Sequence, residues 1–281
     1  MKWLIAGFGD LGQSIARVLS NCEQTADAPV IALKRTPLQP GLPKTVTWLK
    51  ADLSDPKSLE TLAHDITHVV YCAAPNERDE VLYRATYLNG VRNLLAVLRP
   101  RTPQARFLFV SSTAVYGTSL TGQVNEDTPT TPTAFNGQIM LQTEQWLATH
   151  WPNSLVLRLS GIYGPTRQSL INQLKAGQAT VPASPEYWAN RIHVDDAARA
   201  AIHLLLRPDL SGVYIGTDST PVPLKELYTD IARKVGAPDP SIGGPTRMMG
   251  KKRLSNQKLI ESGFTFRWPD SRDGYAKIMS S

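Results

Sequence analysis

Cysteine is scarce in this sequence, and that scarcity excludes a disulfide-stapled secreted fold. The chain of 281 residues holds only two cysteines, Cys22 and Cys72, and their spacing suits neither a metal site nor a redox motif. We therefore expect both to be small buried apolar side chains in a reducing compartment.

Long apolar runs are also absent. The most apolar stretch, residues 197–206, contains Arg199 and His203 and has about half the length that a membrane-spanning helix needs. No signal-peptide pattern precedes the first strand-like segment. The sequence therefore predicts a cytoplasmic protein with no membrane partner.

The chain has no recognisable nucleic-acid motif, although its formal net charge is +6. Its basic residues are scattered, apart from the run at 251–253, and no zinc-finger, RNP or helix-turn-helix pattern accompanies them. We expect no nucleic-acid partner. The charge favours a solvated surface and a pocket for anionic ligands such as phosphates.

What the first half does contain is a regular alternation of short apolar runs and amphipathic segments. This alternation predicts an α/β fold with a parallel sheet covered on both faces. The predicted strands are 3–6, 30–33, 46–49, 68–72, 106–110 and 154–159. The predicted helices of this half are 11–22, 56–64, 77–98 and 134–150.

Beyond residue 160 glycine and proline divide the chain into shorter elements, with helices predicted at 194–206, 223–235 and 255–262. We predict a dinucleotide-binding domain over 1–160, to which 191–213 returns. A small C-terminal substrate lobe would then comprise 161–190 and 214–281, over the carboxyl ends of the strands.

A glycine-rich segment lies between the first predicted strand and the first predicted helix. It reads Gly7, Phe8, Gly9, Asp10, Leu11, Gly12, the G-x-G-x-x-G pattern. In this strand–turn–helix context the pattern predicts a Rossmann-type doubly wound sheet that holds a pyrophosphate at a helix N-terminus. Asp10 is expected to cap the helix or to point away, since a carboxylate is unfavourable beside two phosphates.

The end of the second predicted strand bears on the choice of dinucleotide. NAD-binding proteins usually carry an acidic residue there for the ribose 2′-hydroxyl, but this chain has Lys34, Arg35 and Thr36. An arginine fork and a lysine charge suit a 2′-phosphate. The sequence therefore predicts NADP(H) in preference to NAD(H).

Several further segments resemble the extended short-chain dehydrogenase/reductase family, also called the NAD-dependent epimerase/dehydratase family. These segments are KADL (50–53), VYCAAP (70–75), NGVRNLL (89–95), VSSTAVYG (110–117), LRL through IYGP (157–165), RIHVDD (191–196) and RLSNQK (253–258). They span nearly the whole chain in the family's order. The resemblance implies cofactor binding, a substrate cleft between two lobes and an enzyme that acts on a polar carbonyl or sugar-like substrate; a homodimer is compatible with it.

The resemblance also assigns roles to particular residues. It implies that Asp52 and Leu53 flank the adenine. Ala73, Ala74 and Pro75 would line the floor of the cofactor site, with Ser111 also at the cofactor. Ser112 stands at the family's catalytic Ser/Thr position, and Tyr116 is a second catalytic candidate.

The family's Tyr-x-x-x-Lys pair is missing. Aligned by Glu144, the helix over 134–150 has Asn136 in place of the tyrosine and Met140 in place of the lysine. An amide does not titrate and methionine carries no charge, so neither can perform proton transfer. In this respect the chain is similar to the atypical members of the family.

Three interpretations of the missing pair remain. In the first, another side chain takes over the proton transfer. The nearest candidates by motif position are Tyr116, Tyr163 and His193, with Ser112 as a hydrogen-bond partner. A packing or capping role is favoured for each of these three. Alternatively, the nicotinamide performs the reaction with little help from protein acids and bases. In the third, the protein is a non-catalytic NADP(H) sensor or partner-binding module. A metal site from His193, Asp195 and Asp196 is less favoured, since no other histidine lies in a matching motif.

Overall fold

The computed structural model describes residues 1–243 and 250–280. The strands over this part are β1 (Trp3–Ala6), β2 (Val30–Lys34), β3 (Val46–Lys50), β4 (His68–Tyr71), β5 (Arg106–Ser112), β6 (Thr121–Val124), β7 (Leu155–Leu159), β8 (Gly161–Tyr163), β9 (Thr180–Val181), β10 (Trp188–Ala189), β11 (Arg191–His193), β12 (Gly212–Gly216), β13 (Val222–Pro223), β14 (Ser241–Ile242) and β15 (Lys251–Leu254). The α-helices are α1 (Asp10–Asn21), α2 (Glu80–Tyr83), α3 (Gly90–Arg101), α4 (Phe135–His150), α5 (Ser169–Lys175), α6 (Val194–Leu206), α7 (Leu224–Lys234), α8 (Gln257–Glu261) and α9 (Ser271–Met279).

Seven of these strands form one parallel sheet in the order β12-β7-β5-β4-β1-β2-β3. The order reverses direction between β1 and β4, which is the switch point at which doubly wound sheets bind ligands. The predicted fold class is confirmed. The strands are short and largely apolar, as expected for a sheet buried on both faces.

Two predicted helices differ from the structure. The segment predicted as a helix over 56–64 forms a single 3-10 turn, Pro56–Leu59, and the N–H groups of Glu60 and Leu62 bond to carbonyls three residues back. The helix predicted over 77–98 begins at Glu80 and passes through a π-helical stretch, Arg84–Asn89, before α3. Such π-turns insert one extra residue and are frequent near functional sites.

The buried apolar side chains form three clusters. One lies where α1 and α6 cover the central sheet, and the second lies on the opposite face under α3 and α4. The third, smaller cluster joins α5, α7 and α9 and includes Leu227, Ile231 and Tyr275. It occupies the region predicted as the substrate lobe, of which residues 244–249 and 281 lie outside the described part; the domain boundaries stay a prediction.

No helix over 1–243 and 250–280 is both long enough and apolar enough to cross a bilayer.

Candidate functional site

The glycine turn joins β1 to α1 at the switch point of the sheet. Gly7 has φ +98°, a conformation that disfavours any side chain, and a Cβ there would stand 2.3 Å from the backbone of Ala73. A Cβ on Gly12 would stand 2.7 Å from the Gly7 carbonyl oxygen. Both glycines are therefore required by backbone packing alone.

Gly9 differs from its two neighbours, because the space beside it is open. A Cβ on Gly9 would meet no atom within 4 Å. Gly9 precedes α1, and the first N–H of the helix to find a backbone acceptor is that of Gln13. The N–H groups of residues 10–12 are thus left for a ligand at the positive end of the helix dipole.

The Asp10 side chain does not cap the helix, because its carboxylate is held by residues from the second half of the chain. Its two carboxylate oxygens accept hydrogen bonds from the Thr166 hydroxyl at 2.6 Å and from Nε of Arg167 at 2.6 Å. Thr166 and Arg167 follow β8, so this contact ties the glycine turn to the second half of the chain. From the sequence, Asp10 was expected only to cap the helix or to point away, and neither of its partners was predicted.

Lys34 ends β2, and Arg35 follows it with its side chain 64% exposed. Nη1 of Arg35 lies 3.9 Å from Oδ2 of Asp52. Burial raises the pKa of Asp52, but two hydrogen bonds from Ser54 and the charge of Arg35 outweigh it, so that this carboxyl titrates below its usual value. Thr36 is exposed beyond them.

The floor of the candidate cofactor site is made by the segments after β3 and β4. Leu53 is buried, and its carbonyl accepts a hydrogen bond from Nδ2 of Asn93 at 2.9 Å. Ala73 lies against the glycine turn, while Ala74 is exposed and Pro75 half-buried. The predicted cofactor residues at the ends of β1 to β4 therefore lie along one edge of the sheet.

Ser111 and Ser112 end β5 on opposite sides of the strand. The Ser111 hydroxyl is buried and donates to Glu144, so its proton is used within the protein. Ser112 is half-buried, and its Oγ accepts the N–H of Ala114 at 3.2 Å. Of the two, Ser112 is the one whose hydroxyl proton is free for a ligand.

Tyr116 belongs to a buried polar network. Its side chain is fully buried, and its hydroxyl accepts a hydrogen bond from Nη1 of Arg158 at 2.8 Å. Burial raises the pKa of Tyr116 to about 12, although the Arg158 charge opposes that rise. Arg158 in turn pairs with Glu144 at 2.6 Å. This geometry favours a packing role for Tyr116, and its catalytic role stays a prediction.

The other two candidates for proton transfer are also buried. Tyr163 is 1% exposed, and stacking on Tyr275 at 4.3 Å holds it in place. His193 caps α6, its Nδ1 accepting the N–H of Asp195 at 3.1 Å. Burial lowers the pKa of His193, against the opposing charge of Asp195, and this shift favours the neutral imidazole whose Nδ1 accepts that hydrogen bond.

Helix α4 carries the positions of the missing pair. Met140 is buried, and Asn136 accepts a hydrogen bond through Oδ1 from Nη2 of Arg78 at 3.3 Å. Gly137, next to Asn136, lies so close to Ala114 that a Cβ would stand 2.5 Å from the Ala114 carbonyl oxygen. Asn136 therefore lies at the same edge as Ser112, with a guanidinium beside it.

Sequence reasoning missed the partners of these residues. No motif marked Arg78 or Arg167, which sit in loops. The Glu144–Arg158 pair left one signal, an arginine inside an otherwise apolar strand, LVLRL. Within the described residues, no group of three or more His, Cys, Asp or Glu side chains is arranged to hold a metal ion.

Comparison with known proteins agrees with this architecture. The family model described as "NAD dependent epimerase/dehydratase family" matches residues 3–215. A putative NAD-dependent epimerase/dehydratase from Methylobacillus flagellatus is 34% identical, with a TM-score of 0.81 over 99% of this chain and 97% of that one. The UDP-glucose 4-epimerase of Thermus thermophilus, solved in complex with NAD, shares the fold at 21% identity, with a TM-score of 0.84 over 100% and 98% of the two chains.

One curated relative matches part of the chain. The D-erythronate dehydrogenase of Haemophilus influenzae is 30% identical over 145 residues, which cover 49% of this chain and 46% of that protein. The matched stretch is thus less than half of the relative's length.

Proposed function

The chain belongs to the NAD-dependent epimerase/dehydratase family, and from this premise we propose that it binds NADP(H) and acts as an oxidoreductase or epimerase on a polar carbonyl or sugar-like substrate. The observation that carries the proposal is the glycine turn, where Gly7 and Gly12 are packed against backbone while Gly9 faces open space. Free N–H groups at the start of α1 suit a pyrophosphate there.

The preference for NADP(H) follows from the end of β2. Lys34 and Arg35 supply two positive charges, and the segment 34–36 contains no acidic residue. The guanidinium of Arg35 is exposed, so it can turn from Asp52 towards a 2′-phosphate.

The bound nicotinamide would supply the hydride acceptor or donor. The chain's own contribution is positioning: Ser112 offers a hydroxyl at the end of β5, and Arg78 places a positive charge beside Asn136. Such a charge stabilises an oxyanion that develops on a carbonyl substrate. Neither Asn136 nor Met140 moves a proton.

The substrate class is proposed from the relatives. One is a dehydrogenase of D-erythronate, a polyhydroxylated acid, and another is an epimerase of UDP-glucose. A compound with several hydroxyl groups is common to both names, and we assign this chain a substrate of that kind.

A second candidate function, an NADP(H)-responsive binding module without catalysis, is favoured by one observation. The two positions that carry the family's acid/base pair hold an amide and a buried thioether. A sensor requires the dinucleotide site but not a titratable group near the nicotinamide.

Calorimetric titration of the purified protein with NADP(H) and NAD(H) tests the proposal. We expect NADP⁺ to bind at least tenfold more tightly than NAD⁺. Arg35→Ala should remove most of that preference, because a charge-assisted contact to phosphate contributes about 1.5–3 kcal/mol. Arg17→Ala, on the exposed side of α1, is the matched control and should bind as the wild type does.

The outcomes separate the alternatives. Binding of neither dinucleotide would overturn the proposal, and equal binding of both by the wild type would overturn only the preference. If NADP⁺ binds, either a change in absorbance at 340 nm or the formation of an epimer at constant absorbance favours the enzyme. The absence of both across a panel of polyhydroxylated substrates favours the sensor.

A further inference from the structure

Arg191 begins β11 and carries a guanidinium without a carboxylate partner. Its Nη2 reaches only the hydroxyl of Tyr228, at 3.5 Å, and its Nε is buried with no hydrogen-bond partner. Across 1–243 and 250–280, no Asp or Glu oxygen lies within 4.0 Å of it. A largely buried charge in this state is costly unless a ligand completes it.

The Gly161 backbone and the Tyr228 hydroxyl flank this guanidinium. Nη1 lies 2.4 Å from where a Cβ on Gly161 would stand, so the side chain covers the backbone at the start of β8. Since the Tyr228 hydroxyl receives a bond from Arg191, its own proton remains available to an acceptor.

One carboxyl group lies near, and it does not neutralise Arg191. Asp218 donates its backbone N–H to the Arg191 carbonyl, while its side chain accepts the N–H of Ser271 at 3.2 Å. Burial raises the pKa of Asp218 to about 7, even though the Arg191 charge opposes the rise. Much of this carboxyl is therefore uncharged at neutral pH.

Arg191 stands at the same edge of the sheet as the candidate catalytic serine. Ser112 is in register with Leu159 of β7, and Gly161 follows Leu159 by two residues, roughly 7 Å of extended chain. Parallel pairing places Arg191 beside Gly161. Tyr228 brings α7 of the third apolar cluster to the other side. The strand end that carries Ser112 therefore neighbours the chain segment that lies against Arg191.

We propose that Arg191, with Tyr228, binds an oxyanion of the substrate, a carboxylate or a phosphate, at the edge of the sheet beyond β7. The planar guanidinium fork matches such groups through two parallel hydrogen bonds. This inference rests on the proposed function and narrows its substrate class to polyhydroxylated compounds with a negative charge.

Binding of matched charged and neutral probes tests the proposal. Calorimetric titrations of the full-length protein, with and without saturating NADP⁺, would compare D-erythronate with erythritol and D-glucose 6-phosphate with D-glucose. We expect at least one charged probe to bind tenfold or more tightly than its neutral counterpart. The first pair reports on a carboxylate and the second on a phosphate.

Variants then assign the preference to the side chains. Arg191→Gln should weaken the preferred probe at least tenfold, and Tyr228→Phe, which removes only a hydroxyl, should weaken it several-fold. Arg191→Lys should recover only part of the loss, since it keeps the charge without the fork. Arg233→Gln, an exposed site on α7, is the control and should bind as the wild type does.

The inference is overturned if neither charged probe is preferred by the wild type, or if Arg191→Gln and Tyr228→Phe both bind the preferred probe unchanged. If the wild type does not bind NADP⁺, that result counts against the proposed function instead. The two failures are therefore distinguishable, because the probes are also titrated without NADP⁺.

Discussion

At the scale of single residues, the buried charges of the central sheet are the most consequential side chains. Arg158 lies within β7, and two side chains hold its guanidinium: Glu144 pairs with it, and Tyr116 contacts it through both its hydroxyl and its ring. Both partners of the ion pair are about 95% buried. Because both side chains are buried, water cannot solvate the charge that remains when one partner is removed.

Removing one partner of this pair should therefore be costly. Glu144→Ala is expected to lower the free energy of unfolding by about 3–5 kcal/mol, because Arg158 is left buried and unpaired. Glu80→Ala removes an exposed carboxylate from an i,i+4 pair with Arg84 and should cost less than about 1 kcal/mol. Urea unfolding at pH 7 measures both. Equal losses in the two variants would contradict the argument.

A second residue-scale expectation concerns pH. Asp218 is 3% exposed, and burial raises the pKa of its carboxyl from 3.8 to about 7. Between these values the folded state keeps a proton that the unfolded state has lost. The free energy of unfolding should then fall as pH rises, by up to about 1.4 kcal/mol per pH unit. This stabilisation is present in full below pH 4 and is lost by about pH 7.

Asp218→Asn removes that titration while keeping an acceptor for the Ser271 N–H. We expect the stability of the variant, relative to the wild type, to increase steadily from pH 4 to pH 7 and to change little above pH 7. Thermal or urea unfolding across this range provides the measurement. Parallel curves for the two proteins would show that Asp218 titrates normally.

At the scale of elements, the sequence predicted the strands of the central sheet well, because short apolar runs bounded by turn residues have few alternatives. The helix over 194–206 was predicted with its observed bounds, and α4 to within one residue. The break of the third predicted helix into α2, a π-turn and α3 was not foreseen, since nothing in hydropathy marks an inserted residue. The seventh strand, β12, was not predicted as a strand, and only its first two residues fall within the segment 191–213 that was predicted to return to the sheet.

The candidate site was predictable in its backbone and less so in its side chains. The glycine spacing between a strand and a helix is a local pattern, so the turn over Gly7, Gly9 and Gly12 could be predicted from the sequence. The pairing of Asp10 with Arg167 or of Arg78 with Asn136 joins residues 58 or more positions apart. Such pairs depend on how the loops close over the sheet, which the local pattern does not contain.

The link between α1 and the segment after β8 leads to a prediction about dinucleotide affinity. Arg167 compensates the Asp10 carboxylate beside the proposed pyrophosphate position. Arg167→Ala should weaken NADP⁺ binding several-fold, because it leaves an unpaired negative charge near two phosphates. Asp10→Asn in the same chain should restore most of the affinity. Calorimetry on the two single variants and the double variant measures the coupling between the two side chains. Additive effects on the affinity would show that Arg167 does not compensate the Asp10 charge.

At the scale of the whole molecule, unequal apolar clusters predict unequal local stability. The clusters on the two faces of the central sheet are larger than the third, which joins α5, α7 and α9. We expect amides of α7 to exchange with solvent through a partial opening of lower free energy than amides of β5.

Saturation with NADP⁺ at 100 times its dissociation constant should raise the opening free energy of the β5 amides by about 2.7 kcal/mol, because global unfolding dismantles the glycine turn. The opening free energy of the α7 amides should rise less than that of the β5 amides. If the Asp10–Arg167 contact couples the glycine turn to the third cluster, the opening free energy of the α7 amides rises by as much as that of the β5 amides, and Asp10→Asn should then abolish the difference that coupling makes. Native-state hydrogen exchange in low urea resolves these openings. A single common opening for α7 and β5 would show that the third cluster unfolds only with the rest of the chain.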